Sequence, residues 1–236
     1  MIRAALILWV AFAQGAAGAQ CRQALVLGLD VSGSVDSTEY RLQLDGLANA
    51  LLHPEVIDAF LADPSAPVGL AIFEWSAPNH QLLIQPWLAV GSVADLQAVS
   101  GLLRGQTRMA APPGTAVGTA MQTGTALLEQ RRDCWKRTLD ISGDGMHNMG
   151  AHPGVIKLML EGSDVTINAL VIGVNAPTTS GSRVIDTSEL SAYFRAWVVT
   201  GPGSFVETAQ GYADYEAAMV RKLKRELEVM AISALQ

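Results

Sequence analysis

The sequence has few of the groups that bind nucleic acid, zinc or lipid. Its 236 residues include 16 basic and 22 acidic ones, a balance that argues against nucleic acid and anionic membranes as partners. The histidines His53, His80 and His152 show no metal-ligand spacing, and there are only two cysteines. After the first 19 residues no segment is apolar enough to cross a membrane. No internal repeat or low-complexity tract occurs.

The N-terminus has the pattern of a signal peptide. Arg3 precedes an apolar stretch over residues 4–13, and small residues occupy positions 17–19. The apolar stretch is too short to span a bilayer comfortably. We therefore expect residues 1–19 to be removed on export. Residues 20–236 should then form one soluble periplasmic or extracellular domain.

Strand-like and helix-like segments alternate along the rest of the chain, which indicates a parallel sheet covered on both faces. Strands are predicted over 24–29, 68–75, 81–87, 137–142, 165–173 and 203–207. Helices are predicted over 38–52, 53–61, 93–103, 116–129, 153–161, 188–198 and 212–235. The third strand follows a short connection, so it should be an antiparallel edge partner of the second. The expected fold class is α/β: a doubly wound, mostly parallel six-stranded sheet with one antiparallel edge strand and helices on both faces.

The most informative segment is Asp-Val-Ser-Gly-Ser, which begins at Asp30 where the first predicted strand should end. Alternate side chains of an extended chain point to one side, so Asp30, Ser32 and Ser34 can present their oxygens together. Asp36 and Glu39 then have the spacing of a capping box that opens a helix. Carboxylate and hydroxyl oxygens are hard ligands that suit Mg²⁺ or Mn²⁺ better than zinc.

Two later segments supply further oxygen ligands. Pro112-Pro113-Gly114-Thr115-Ala116 is a rigid turn that carries a hydroxyl into a predicted helix. Ile141-Ser142-Gly143-Asp144-Gly145 ends a second apolar strand with a carboxylate between two glycines. An Asp-x-Ser-x-Ser segment, a loop Thr and a strand-end Asp-Gly, in this order, resemble the metal-ion-dependent adhesion site of von Willebrand factor A domains.

The resemblance implies one Mg²⁺ or Mn²⁺ held by five residues: Asp30, Ser32, Ser34, Thr115 and Asp144. It extends over nearly the whole mature chain. Cys21, Phe73-Glu74-Trp75-Ser76, the segment 140–145 and the segment 201–206 are similar to a bacterial, secreted family of unknown function within this superfamily. Gly143 departs from the pattern, because many relatives carry Thr there, but it removes no expected ligand.

Four further residues are expected at the rim of the site or just behind its ligands. Glu74 either orients a ligand or a water, or forms a surface salt bridge. Asp140 lies about 13 Å down the strand from Asp144, so we expect a structural or second-layer role, hydrogen-bonded to backbone. His147 and Asn148 closely follow Asp144 and should lie at the rim.

The two cysteines of an exported chain favour a disulfide, with two free thiols as the alternative. Cys21 lies nine residues before Asp30, and Cys134 lies ten before Asp144. If the two strands are parallel neighbours, as the family fold implies, Cys21 and Cys134 meet at the edge opposite the metal.

Three functions are compatible with these residues. The resemblance implies a protein-binding module and not an enzyme, because in relatives a carboxylate from a partner protein fills the open position on the metal. The alternative is a metal-dependent hydrolase in which the metal activates water and His147 is the base. No Gly-x-Ser-x-Gly motif surrounds Ser32 or Ser34, so neither is predicted to be a nucleophile. In a third interpretation the metal only stiffens the loops.

Overall fold

The computed structural model describes residues 21–173 and 186–228. The predicted signal peptide, residues 1–19, and residues 229–235 of the last predicted helix lie outside these ranges. The strands are β1 (Cys21–Asp30), β2 (Val68–Trp75), β3 (Gln81–Val90), β4 (Cys134–Gly143), β5 (Val165–Ile172) and β6 (Val206–Ala209). The α-helices are α1 (Ser37–Ala50), α2 (Pro54–Phe60), α3 (Val93–Gly105), α4 (Val117–Glu129), α5 (Pro153–Met159), α6 (Thr187–Trp197) and α7 (Tyr215–Leu227). A 3₁₀ turn, Tyr212–Asp214, leads into α7.

The strands form one sheet in the order β3-β2-β1-β4-β5-β6. β2 and β3 pair antiparallel, and the other neighbours pair parallel. This confirms the predicted α/β class with one antiparallel edge strand. Because β1 and β4 are adjacent and parallel, with Leu29 opposite Ser142, their C-terminal ends reach the same edge of the sheet. The two carboxylates that follow these positions are therefore brought together by topology.

Both faces of the sheet are covered. Leu25, Leu27 and Leu29 of β1 pack into one core with α1, α2, α3 and α7. Ala24 and Val26, which alternate with them, pack into a second core with α4, α5 and α6. Because such strands are buried on both faces, their sequences are continuous apolar runs. Within the described ranges, no helix combines the length and the apolar character needed to cross a bilayer.

The sixth strand lies later in the chain than predicted. It was expected over 203–207, but it pairs with β5 over Val206–Ala209. The cause is a turn in which Gly201 and Gly203 have φ values of +89° and +67°, which suit glycine and do not continue a strand. The shift moves the strand end toward the 3₁₀ turn, which contributes to the site described below.

The two cysteines form the predicted disulfide. Cys21 and Cys134 pair directly across β1 and β4, with their Cα atoms 4.4 Å apart. Both are the first residues of their strands and both are buried. The bridge therefore joins β1 and β4 at the edge opposite the one where Asp30 and Asp144 emerge.

Candidate metal centre

The end of β1 folds into a tight turn that faces the end of β4. Asp30 is the last strand residue and is fully buried. Its Oδ1 accepts a hydrogen bond of 2.8 Å from the backbone N–H of Ser32, which bends the chain back over the carboxylate. The predicted capping box is confirmed: Asp36 accepts from the backbone of Glu39, and Glu39 accepts from the backbone of Asp36. The turn is thus fixed between a strand end and a helix start.

Hydroxyl contacts join this turn to Asp144. Ser32 Oγ lies 3.1 Å from Ser34 Oγ. Ser34 Oγ in turn donates a 2.5 Å hydrogen bond to Asp144 Oδ1, across 110 residues of sequence. Asp30 joins this group through the hydrogen bond that its Oδ1 accepts from the N–H of Ser32. Four of the five sequence-predicted metal ligands therefore form one contiguous group of oxygens.

The fifth predicted ligand, Thr115, is held against this group by backbone contacts on both sides. The N–H of Gly33 donates to Pro113 O at 3.2 Å, and an added Cβ at Gly33 would lie 2.7 Å from Pro113 Cβ. On the other side, a Cβ added at Gly145 would lie 3.9 Å from Thr115 Oγ1. The Thr115 hydroxyl thus lies beside the Asp144–Gly145 corner, and the absence of a side chain at Gly33 permits the close approach of Pro113.

The site is electrostatically unbalanced without a cation. Burial raises the pKa of Asp30 well above its usual range, and the charge of Asp144 raises that pKa further. Burial also raises the pKa of Asp144. Asp30 Oδ2 is buried and has no hydrogen-bond partner among the described residues. No ion pair found within residues 21–173 and 186–228 involves either carboxylate.

These features fit a divalent ion bound by oxygen. The donor set is two carboxylates and three hydroxyls, which is the chemistry that Mg²⁺ and Mn²⁺ favour. Gly143 leaves room beside the unpartnered oxygen, since a Cβ there would lie 3.3 Å from Asp30 Oδ2 and 3.4 Å from Phe194 Cζ. The ring of Phe194 therefore occupies the space beside Gly143, the position at which many relatives carry Thr.

Of the four predicted rim residues, Asn148 contacts the site directly. Its Oδ1 accepts a 2.8 Å hydrogen bond from the backbone N–H of Thr115, and its own N–H donates to Thr115 O. His147 points elsewhere: its ring makes an edge contact with His152, which in turn contacts Trp197. Burial and the charge of His152 lower the pKa of His147.

Glu74 and Asp140 are buried beneath the site and have side-chain partners of their own. Glu74 accepts a hydrogen bond from Tyr40 and is 1% exposed, so the surface salt bridge considered for it is wrong. Asp140 pairs with Lys222 of α7 at 3.0 Å, and not with backbone donors as expected. Lys222 also lies 2.5 Å from Glu226, which gives a buried cluster of two carboxylates and one ammonium.

The Asp140 cluster predicts a pH effect on stability. Burial raises the pKa of Asp140 to about 7. Between the ordinary Asp pKa of 3.8 and about pH 7, the folded protein holds a proton that the unfolded chain has already released. The free energy of unfolding should therefore fall as pH rises from about 5 to about 7. We expect Asp140→Asn to remove this contribution, which amounts to at most about 1.4 kcal/mol per pH unit.

Urea denaturation of the wild type and Asp140→Asn in EDTA at several pH values measures this effect. Asp30 and Asp144 titrate in both proteins, so the difference between the two curves isolates Asp140. Parallel curves would contradict the pKa assignment.

Three residues that sequence analysis missed complete the site. Tyr212, in the 3₁₀ turn before α7, donates a 3.1 Å hydrogen bond to Asp144 Oδ2. Gln43 Nε2 donates to Asp30 O, and Arg108 donates to Val35 O. Gln43 alone had a sequence signal, because it is a polar residue on the apolar face of α1. Tyr212 and Arg108 come from distant loops that the fold brings to this edge.

Solved structures with the same fold are distant in sequence. The pilus adhesin SpaC from Lactobacillus rhamnosus GG has a TM-score of 0.63 at 16% identity, over 88% of this chain and 31% of that one. Proximal thread matrix protein 1 from the mussel byssus, with a zinc-occupied MIDAS motif, gives 0.60 at 15% identity, over 89% and 46%. A von Willebrand factor type A structure from Catenulispora acidiphila gives 0.55 at 14% identity, over 88% and 42%. The chain spans less than half the length of each.

Sequence comparison defines the family. No curated protein sequence matches the chain. A family profile described as "Protein of unknown function (DUF1194)" matches residues 20–231, which is most of the chain. The structural neighbours confirm the resemblance of the fold to von Willebrand factor A domains. The chain therefore belongs to the DUF1194 family of proteins of unknown function, and its fold is that of the von Willebrand factor A superfamily.

Proposed function

We propose that the chain is an exported, metal-dependent protein-binding module of the adhesion type. One Mg²⁺ or Mn²⁺ is bound by Asp30, Ser32, Ser34, Thr115 and Asp144. A carboxylate from a partner protein completes the coordination of the ion. The protein acts by binding and not by catalysis.

The pair of buried carboxylates carries this proposal. Asp30 and Asp144 share the edge of the sheet, and among residues 21–173 and 186–228 no donor reaches the buried Asp30 Oδ2. A buried carboxylate with no partner is costly, and a bound cation is the common way to offset that cost. When bound, the ion supplies positive charge and open coordination positions, while the hydroxyl ligands add no charge.

Exposure within the cluster supports an external ligand. Asp30 and Ser32 are fully buried, whereas Ser34, Pro113 and Asn148 on the outer side are exposed. An ion among these oxygens would be enclosed on the protein side and accessible from solvent. Two carboxylates neutralise a divalent ion, so binding to the protein alone should be modest. A partner carboxylate then adds charge and couples partner binding to metal binding.

Export is proposed from the N-terminal sequence. The family match begins at residue 20, immediately after the predicted signal peptide of residues 1–19, which supports cleavage at this point. The Cys21–Cys134 disulfide is compatible with an oxidising compartment such as the periplasm. We propose residues 20–236 as the mature domain.

The hydrolase alternative is less well supported. It requires His147 to act as a base on a metal-bound water. The ring of His147 instead contacts His152, at 5.5 Å between ring centroids, and its Nδ1 is buried without a hydrogen-bond partner in the described part of the chain. No hydrogen bond connects it to the five proposed ligands within those residues.

Selection of peptides on the immobilised mature domain tests the proposed function. A random peptide library is bound in Mg²⁺, washed, and eluted with EDTA. We expect the eluted peptides to be enriched in sequences with an essential Asp or Glu. Changing that residue to Asn or Gln should abolish binding while the rest of the peptide stays the same.

A parallel selection on Asp144→Asn is the control, because this change keeps the shape of the side chain and removes its charge. The proposal is contradicted if the wild type yields peptides that bind equally in EDTA or lack any required acidic residue. Zinc should be tested beside Mg²⁺ and Mn²⁺, because divalent affinity generally favours zinc over Mn²⁺ at a given site.

A further inference from the structure

We propose that Tyr212 is a positioning residue for the metal centre: its hydroxyl fixes Asp144 in the orientation that metal binding requires. This inference rests on the proposed function, because it assigns Asp144 as a ligand. It concerns a residue that neither the family match nor the sequence motif singles out.

The two oxygens of Asp144 accept hydrogen bonds from different donors. Oδ1 faces the turn after β1, where it accepts the 2.5 Å hydrogen bond from Ser34 Oγ. Oδ2 accepts the 3.1 Å hydrogen bond from Tyr212 Oη. Two donors on different oxygens fix both the rotation and the tilt of the carboxylate. Of the two oxygens, Oδ1 is the one hydrogen-bonded to another proposed ligand.

Tyr212 can hold this position because its own turn is anchored on both sides. The N–H of Asp214 donates to Gly211 O, and Asp214 Oδ2 accepts from the N–H of Gln210, which closes the turn on itself. After the turn, Tyr215 is fully buried and packs so closely on α1 that a Cβ at Gly46 would lie 3.0 Å from its ring. The hydroxyl of Tyr212 is therefore delivered by a rigid segment.

The hydrogen bond from Tyr212 to Asp144 Oδ2 has a defined chemical effect. It occupies one lone pair of Oδ2, and it opposes both rotation of the carboxylate and binding of an ion through both oxygens. Tyr212 is 6% exposed, so water cannot readily replace its hydroxyl. Groups that orient metal ligands in this way typically change metal affinity by about 10–100-fold when they are removed.

Tyr215 provides a matched control. Its hydroxyl lies 3.2 Å from Ser142 Oγ, which is near the end of β4 and two residues before Asp144. Tyr212→Phe and Tyr215→Phe therefore remove the same atom from two buried tyrosines three residues apart. Only the first atom touches a proposed ligand.

The experiment is a calorimetric titration of Mg²⁺ and Mn²⁺ into the wild type and both variants, with thermal unfolding in EDTA to confirm that each is folded. We expect Tyr212→Phe to raise the Kd for metal by about 10-fold or more, and Tyr215→Phe to leave it nearly unchanged. Equal affinity of Tyr212→Phe and wild type would overturn the role of Tyr212. If the wild type binds neither metal, the proposed function itself fails, and this inference fails with it.

A second measurement needs no variant that must fold. Buried, hydrogen-bonded hydroxyl protons exchange slowly with water, so those of Tyr212 and Tyr215 should be observable by NMR in the wild-type protein. Addition of Mg²⁺ should shift the Tyr212 resonance strongly and the Tyr215 resonance little. Shifts of similar size at both would contradict a specific role for Tyr212.

Discussion

Replacing Asp30 with alanine should abolish the binding of Mg²⁺ and Mn²⁺ without unfolding the protein. The change removes one of only two charged ligands and leaves a single carboxylate and three hydroxyls facing a divalent ion. We expect the affinity for metal to fall by more than about 100-fold, beyond the loss typical for residues that only orient ligands. Metal-dependent capture of a partner should disappear with it. Calorimetric titration measures the first effect directly.

Asp30→Asn separates charge from shape at the same position. Asparagine keeps an acceptor for the N–H of Ser32, which donates to Asp30 Oδ1 in the wild type. It removes the charge that raises the cost of burying Asp30 beside Asp144. In EDTA, the thermal midpoint of this variant should therefore equal or exceed that of the wild type, although it no longer binds metal well. A gain in stability with a loss of binding is typical of a binding site and not of a structural residue.

Asp36→Ala is the matched control, since Asp36 is an exposed carboxylate of the same loop. It accepts from the backbone of Thr38 and Glu39, so its loss should cost about 1 kcal/mol as a helix cap. Metal affinity should change little. If Asp30→Ala retained wild-type metal affinity, or if Asp36→Ala lost as much, the assignment of the ligands would be wrong.

Replacing Lys222 with methionine should have the largest effect on stability. Lys222 is fully buried on α7, between Asp140 at 3.0 Å and Glu226 at 2.5 Å. Methionine keeps the apolar stem and removes the ammonium, which leaves two buried carboxylates without a cation. Breaking a buried ion pair in this way typically costs about 3–5 kcal/mol. Urea denaturation at about pH 8, above the Asp140 pKa of about 7, measures the loss.

Two further variants test the cause of that loss. Adding Asp140→Asn to Lys222→Met removes one of the stranded charges and should restore part of the stability. Lys224→Met removes a half-exposed ammonium two residues along the same helix, where it pairs with Glu55, and should cost no more than about 1 kcal/mol. A small effect of Lys222→Met, or no recovery in the double variant, would show that the cluster is not electrostatically coupled.

The sequence predicted the parts of the fold that depend on local patterns. Apolar runs identified β1 and β4, and glycines and polar residues at their ends identified where Asp30 and Asp144 emerge. The resemblance then supplied the pairing of these strands, from which the Cys21–Cys134 disulfide follows. These features depend on residues that are close in sequence, or on a strand order that is known from the resemblance.

What the sequence could not supply depends on contacts between distant segments. Tyr212 lies 68 residues after Asp144 in a short turn, and no periodicity marks it as a partner of the site. Lys222, the partner of Asp140, belongs to a distant charged helix, and no local pattern marks it as buried. In both cases the decisive information is how the 3₁₀ turn and α7 pack against the sheet. This packing depends on all the helices and loops that cover that face of the sheet, and not on Tyr212 or Lys222 alone.

The position of the disulfide determines how this protein would carry a mechanical load. A pull applied along the chain from its N-terminal side to its C-terminal side enters at Cys21 and crosses the S–S bond directly to Cys134. The segment between the two cysteines is then bypassed and cannot be stretched until that bond breaks. Four of the five proposed metal ligands lie inside this shielded segment, and only Asp144 lies on the loaded path. Tension would reach the metal centre through Asp144 and through Asn148 and Tyr212, which contact the ligands from the loaded part of the chain.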